Sequence, residues 1–434
     1  MQRVKIDLPL NLLHKTAFGF YNFSWSVALP WLRLNHRLAD GYQQRVLKDK
    51  LPGAADLWIQ AASVGESFLA LEILKTLRVK QPIQILLTAN TRQGIDILDQ
   101  ALSQPNNDPN RIQTVARFFP FDKPSIMAKA VAAIRPKLMV LLETEIWPGL
   151  LLALKAKGCK IIIVNGRLTE KSLQRYLLWP SIWQSLRPDK VLAISSADAD
   201  RFGRLFGPNG IDVMANIKFD RMAPSSFVND DHTAMKFILP KGIPFVVFAS
   251  VRHEEESEVK KLVRKIARNR PQIVMGIFPR HIQRVEFWQD GLTKLGIRWV
   301  LRSAVSNPVS AGTVILWDTF GELMSAYRLA QSAFVGGSLA PLGGQNFLEA
   351  LISGVIPVIG PSWENFSWVG QGIIDTGLLR IAEDWRQTAT LILQDLDTPR
   401  PRAPVIKTVN QFIKTRQGGT DQACRQIESI LFEK

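Results

Sequence analysis

The strongest constraint on this chain is a repeated alternation of short apolar runs, polar turns and segments with helical spacing. Residues 57–62 form an apolar run that ends in Ser63-Val64-Gly65-Glu66, after which Phe68, Leu69, Leu71, Leu74 and Leu77 recur at helical intervals. Runs at 83–88, 137–142, 160–164 and 191–194 repeat the pattern, and a second series occupies 245–249, 273–277, 297–301, 313–316, 333–335 and 355–359. Strands that read as continuously apolar are buried on both faces, as in a parallel sheet covered by helices on each side. The spacing therefore predicts an α/β chain with two doubly wound sheets. A length of 434 residues also exceeds what a single core comfortably supports.

The prolines and polar residues between 216 and 244 separate the two series. The expected organisation is an N-terminal segment at 1–45, a first α/β domain at 46–225, and a second at 226–434 that includes C-terminal helices. Ligands of parallel sheets gather beyond the carboxyl ends of the strands. Two such halves facing each other would place their polar turns around an interdomain cleft.

Residues 16–32 carry no charge and include Phe18, Phe20, Tyr21, Phe23, Trp25 and Trp31, with Lys15 before them and Arg33 and Arg37 after. The stretch is shorter than the roughly 20 residues of a full span, and Asn22, Ser24 and Pro30 interrupt it. Its aromatics suit the membrane interface and its flanking cations suit anionic headgroups. A shallow insertion or monotopic anchor is expected; a true span and a helix packed on the protein are the other options. No small-residue cleavage pattern follows it. The net charge of +16 attracts anions of several kinds. No aromatic platform, zinc finger or basic zipper accompanies it, so nucleic acid is not an expected partner. Cys159 and Cys424 belong to no CxxC pair, which argues against a disulfide scaffold or structural zinc and fits a reducing cytoplasm.

The candidate chemistry lies in the polar turns. Glu66 stands three residues after Ser63, so it reads either as a proton acceptor at a strand end or as the partner in a capping box. Glu143-Thr144-Glu145 follows another strand and reads either as acceptor-orienting carboxylates or as a structural turn. Arg167, in Asn165-Gly166-Arg167, offers a planar donor array for a carboxylate or phosphate, or a plain surface cation. Lys218 is a point charge near the domain boundary or a solvated linker residue. Arg280 and His281 follow a strand of the second series, where Arg280 can meet a phosphate. The richest cluster runs from Gly336 to Glu349. Its glycines allow close backbone approach, its N–H groups can hold anionic oxygens, and Asn346 and Glu349 can bond a ribose. It lacks the GK[ST] ending of a Walker site and the GxGxxG spacing of a dinucleotide fingerprint, so it reads as a nucleotide-sugar site or an architectural turn.

Taken together, WIQAASVGES at 58–67, ETEIWP at 143–148, NGRLTEKS at 165–172, NIKFD at 216–220, PRH at 279–281 and FVGGSLAPLGGQNFLEA at 334–350 resemble the bacterial 3-deoxy-D-manno-octulosonic acid (Kdo) transferases. The resemblance implies a GT-B fold of two Rossmann-like domains and N-terminal association with the cytoplasmic face of the inner or plasma membrane. It implies inverting transfer of Kdo from CMP-Kdo to a phosphorylated lipid A precursor, with no catalytic metal and no separate cofactor. Glu66 would be the general base, and Arg280, Gly337, Ser338, Asn346 and Glu349 would bind the donor nucleotide. Glu145, Arg167 and Lys218 are the acceptor- or anion-binding candidates. The chain departs from the family at Leu342 and Gln345, where arginine and histidine are usual. Those changes keep open a related transferase using another CMP-linked acidic sugar or membrane acceptor. A noncatalytic membrane-bound nucleotide-sugar sensor is the third reading.

Overall fold

The computed structural model describes residues 11–49, 53–103, 112–222 and 237–432. It divides the chain into one unit of Met1–Arg221 with Arg416–Lys434 and a second of Met222–Thr415. The boundary expected at 225/226 lies outside the described residues.

The first unit holds a seven-stranded parallel sheet. Its strands are β1 (Leu57–Ala61), β2 (Ile83–Ala89), β3 (Ile112–Phe118), β4 (Leu138–Leu142), β5 (Lys160–Gly166), β6 (Lys190–Ala193) and β7 (Ile211–Val213), in the order β3-β2-β1-β4-β5-β6-β7. The second unit repeats the plan with β8 (Phe245–Val251), β9 (Val274–Pro279), β10 (Trp299–Leu301), β11 (Val314–Leu316), β12 (Ser332–Val335), β13 (Pro357–Ile359) and β14 (Arg380–Ile381). Their order is β10-β11-β9-β8-β12-β13-β14, again parallel throughout. Each is a doubly wound, Rossmann-like sheet of the GT-B kind. The chain winds outward from the centre, then returns to the other side, which creates a switch point between β1 and β4 in one sheet and between β8 and β12 in the other.

Burial explains which strands show in the sequence. All five residues of β1 and of β4 are buried, so they read as apolar runs. In β3 only Ala116 and Phe118 are buried, and Gln113, Thr114 and Arg117 break the pattern. That strand, with the short edge strands β7 and β14, is absent from the expected set.

The assignment of all of 226–434 to the second domain needs correction. The last helix, Gly419–Phe432, buries Ala423, Cys424 and Ile427 in the core of the first unit, together with Leu69, Ile73 and Leu142. The Asp220 carboxylate fixes its start by accepting from the N–H groups of Gly418 and Thr420, both at 2.6 Å. An apolar face needs a partner, and this one finds it on the first sheet.

The uncharged stretch near the N-terminus forms the helix Leu12–Leu32, capped by the Asn11 side chain. His14 and Phe18 are buried, whereas Phe20, Phe23, Val27 and Trp31 are exposed. Among the described residues no helix is long and apolar enough to cross a membrane.

Candidate active site

The acidic motifs of the first unit meet at its switch point. β1 leads through Ala62 into the helix Val64–Thr76, whose N-cap Ser63 accepts from the Glu66 N–H at 3.4 Å. Glu66 reaches back with Oε2 to the Ala62 N–H, one residue before the cap position. The local geometry is thus a variant of the capping box, and the chemical reading survives beside it. Burial raises the Glu66 pKa to about 7, with further upward pressure from the negative charges of Glu145 and Glu143. The Ala62 N–H and Ser63 pull the other way. The sequence placed this carboxylate at a helix start, which favours its charged form; burial and like charges outweigh that preference.

Glu145 follows β4 on the other side of the switch point. Its Oε2 accepts from Trp147 Nε1 at 2.7 Å and Gln60 Nε2 at 3.4 Å, and burial, foremost, pushes its pKa up. Gln60 is fully buried in β1 and also donates to Asn90 Oδ1 at 3.1 Å. Its own Oε1 accepts from Thr88, whose hydroxyl accepts from Trp58 Nε1 at 2.8 Å. A chain of paired polar groups therefore runs under the site from Trp58 to Trp147, and satisfied networks of this kind hold one geometry. Gln60 escaped the sequence reading because it sits in a strand that reads as core.

Two further motifs converge here. Glu143 adopts φ 53° and forms an ion pair with Lys218. Lys218 is held by its neighbours: Asn216 Oδ1 accepts from the Lys218 N–H at 3.0 Å, and Asn165 Oδ1 accepts from the Ile217 N–H at 2.9 Å. The solvated-linker reading of Lys218 is set aside, since it belongs to this buried corner of the first unit. Arg167 follows β5, and its carbonyl accepts the Thr144 hydroxyl, tying the two loops together.

In the second unit the glycine-rich turn after β12 already contains an anion. The Glu255 carboxylate, 1% exposed, accepts from the N–H groups of Gly337, Ser338 at 3.2 Å, Leu339 at 3.1 Å and Arg252 at 3.0 Å. A Cβ on Gly336 would meet Glu255 Oε1 at 2.5 Å, which explains why glycine stands there. The expectation that the Gly337 and Ser338 amides are open to a ligand is therefore corrected. The Ser338 hydroxyl is also consumed, donating to the Val335 carbonyl at 2.7 Å and accepting from the Gly360 N–H at 2.8 Å. These two residues shape the turn.

The rest of the cluster fits a ligand site better. Asn346 Nδ2 donates to Glu349 Oε1 at 2.8 Å. Burial raises the Glu349 pKa, while Asn346 and the charge of Arg280 oppose the rise, so Arg280 lies within electrostatic reach. Arg280 is exposed at the end of β9 and its N–H is fixed on the Val251 carbonyl at 2.8 Å. His281 is exposed next to it. The sequence reading also passed over Ser250, Arg252 and His253 at the end of β8. Ser250 has φ 52°, and Arg252 Nη2 and His253 Nδ1 both reach Glu254, at 3.1 and 3.0 Å. A strand end at a switch point is the signal that could have found them. Among the described residues no three His, Cys, Asp or Glu side chains converge to hold a metal ion.

Residues 33–221 match the family model described as 3-deoxy-D-manno-octulosonic-acid transferase (kdotransferase). The chain is 30% identical over 389 residues to the 3-deoxy-D-manno-octulosonic acid transferase of Bordetella pertussis, covering 88% of each protein. It is 26% identical over 385 residues to that of Rickettsia conorii, covering 86% of this chain and 79% of the relative. A glycosyltransferase structure from Rickettsia africae shares the fold, with a TM-score of 0.57 at 10% identity, over 88% of this chain and all of that one. The ordered motifs, the paired switch points and this extended identity agree: the chain belongs to the 3-deoxy-D-manno-octulosonic acid transferase family of glycosyltransferases.

Proposed function

We propose that this protein transfers Kdo from CMP-Kdo to a hydroxyl of a phosphorylated lipid A precursor, with inversion at the anomeric carbon. The observation that carries the reading is Glu66, a carboxylate at the first switch point held near pH 7 by burial and by Glu145. A base with that pKa exists in its accepting form at working pH and still takes a proton with good driving force. As the acceptor oxygen forms its bond to the anomeric carbon, its proton passes to Glu66. The bond from that carbon to the CMP phosphate oxygen breaks, and CMP leaves with the electron pair. Arg280 is the group suited to counter the charge that collects on the departing phosphate. Glu349, steadied by Asn346, accepts from the ribose hydroxyls. Glu145 and Lys218 orient the acceptor sugar and its anionic substituents.

The exposed aromatic face of the first helix and the net charge of +16 suit attachment to an anionic bilayer, which we place at the cytoplasmic face of the inner membrane. Leu342 and Gln345 motivate one rival, a transferase for another CMP-linked acidic sugar. Purified protein supplied with defined CMP-sugars and lipid acceptors, followed by mass spectrometry of the lipid products, separates the two. The expected result is acceptor-dependent CMP release with CMP-Kdo and a lipid product heavier by Kdo. Turnover with a different sugar alone supports the rival, and nucleotide binding without any product rejects both.

A further inference from the structure

The first helix is braced by two polar contacts about two turns apart. His14 Nε2 meets Ser181 Oγ at 2.9 Å, and Tyr21 donates to Asp122 Oδ2 at 3.0 Å. Beside the helix lies a trough of about 610 Å³, walled by Ala17, Phe20 and Tyr21 on one side and by Trp179, Ile182 and Trp183 on the other. Sites of this size and apolar lining commonly seat a small organic ligand. The trough has fixed walls. Asp122 is nearly fully buried and accepts from the N–H groups of Gly149 at 2.9 Å and Leu150 at 2.7 Å, so the carboxylate that holds Tyr21 also caps the helix Pro148–Lys155.

Two features identify the occupant. One part of the lining is Pro148, which is bonded to Trp147, whose indole donates to Glu145 Oε2 at 2.7 Å and so links the trough to the acidic site. Another is Arg175, exposed and without a carboxylate partner among the described residues; nearby Glu170 is engaged by Arg201 and Arg204. An apolar slot with a free cation on its lining and the reaction site at its edge matches an amphiphile carrying a phosphate. We propose that the trough beside the first helix seats one fatty acyl chain of the acceptor, with Arg175 meeting its anionic headgroup. This rests on the acceptor assignment above and adds a recognition element to it. General contact with the bilayer would need the exposed face of the helix alone; the walled slot leading to Pro148 selects a chain attached to the substrate.

Thr16 and Ser24 also line the trough, and their hydroxyls bond only to carbonyls of their own helix, Leu12 and Phe20, each at 3.0 Å. Thr16→Trp and Ser24→Trp therefore fill the slot from exposed positions. With CMP-Kdo as donor and neutral detergent present, kcat/KM is measured on an acylated, phosphorylated disaccharide and on its deacylated counterpart. The preference for the acylated acceptor should fall roughly tenfold in each variant, equivalent to about 1.4 kcal/mol. Equal effects on the two acceptors, no effect, or a loss seen only in binding to anionic vesicles with the preference intact overturns the proposal. If the unaltered protein transfers to neither acceptor, the acceptor assignment itself fails and the trough's role falls with it.

Discussion

The two sheets share a winding plan but use a carboxylate in opposite ways at their switch points. In the first unit Glu66 is bound by one backbone N–H and crowded by Glu145 and Glu143, which keeps its proton exchangeable near neutrality. In the second, Glu255 is locked by a ring of N–H groups from the glycine-rich turn and from Arg252. A strand-end acid is suited to exchange a proton when its hydrogen bonds are few and its neighbours repel it. It is a structural anion when backbone donors saturate it.

Several outcomes would break or sharpen that contrast. The largest is expected at Glu66: Glu66→Gln should lower kcat by roughly 10²- to 10⁴-fold, the usual share of a general base, measured as CMP release. In the unaltered enzyme the rate should rise with pH through about 7, and the variant's residual rate should lack that limb. Normal transfer by the variant would remove Glu66 from the chemistry. Next comes Glu255→Gln, which leaves buried N–H groups poorly paired. It should destabilise the protein by about 2–3 kcal/mol, read as a fall in Tm, whereas an unchanged Tm would show the turn needs no internal anion.

A smaller effect has the opposite direction. The folded pKa of Glu66 lies above its ordinary value of 4.5, so the folded protein binds more protons than the unfolded chain between about 4.5 and 7. Stability drains away as pH rises through that window and stays lower above it. Glu66→Gln should accordingly be more stable than the parent at pH 8, by about 1–2 kcal/mol once the roughly 3 kcal/mol of the full shift is discounted for solvent screening of a partly exposed carboxylate, and nearly equal to it below pH 4.5. Thermal unfolding at both pH values measures the difference; a variant less stable at pH 8 would contradict the burial argument. The smallest effect is expected at Asn346. Asn346→Ala frees Glu349 and should raise KM for the nucleotide sugar several-fold, in line with about 1 kcal/mol for one hydrogen bond; an effect on kcat alone would place Asn346 outside ground-state donor binding.

Much of this arrangement is legible in the sequence because parallel strands buried on both faces write themselves as apolar runs and because the candidate site residues follow them closely. Glu145, Arg280 and Asn346 stand in the turns that follow strands, and Glu66 and Glu349 in the first turn of the helices that come next. What stays hidden depends on partners remote in the chain. Nothing local marks Glu255 as the anion bound by Gly337, 82 residues on. Gln60 looks like a flaw in an apolar strand until Asn90 and Glu145 are seen beside it. β3 hides because an edge strand exposes half its residues. The last helix hides its allegiance because its apolar face would suit either sheet.

That last helix also bears on how the protein is made. The first unit begins at the N-terminus, yet part of its core is supplied by Ala423, Cys424 and Ile427. On a ribosome adding roughly 5–20 residues per second, the whole second unit is synthesised before those side chains exist, a delay of roughly ten to forty seconds. Through that interval the helix Val64–Thr76 on the nascent first sheet holds an uncovered apolar patch around Leu69 and Ile73. The second unit is contiguous in the chain and meets no such wait. The half that emerges first is thus the half completed last, and its dependence on chaperones or a nearby membrane during synthesis should be the greater.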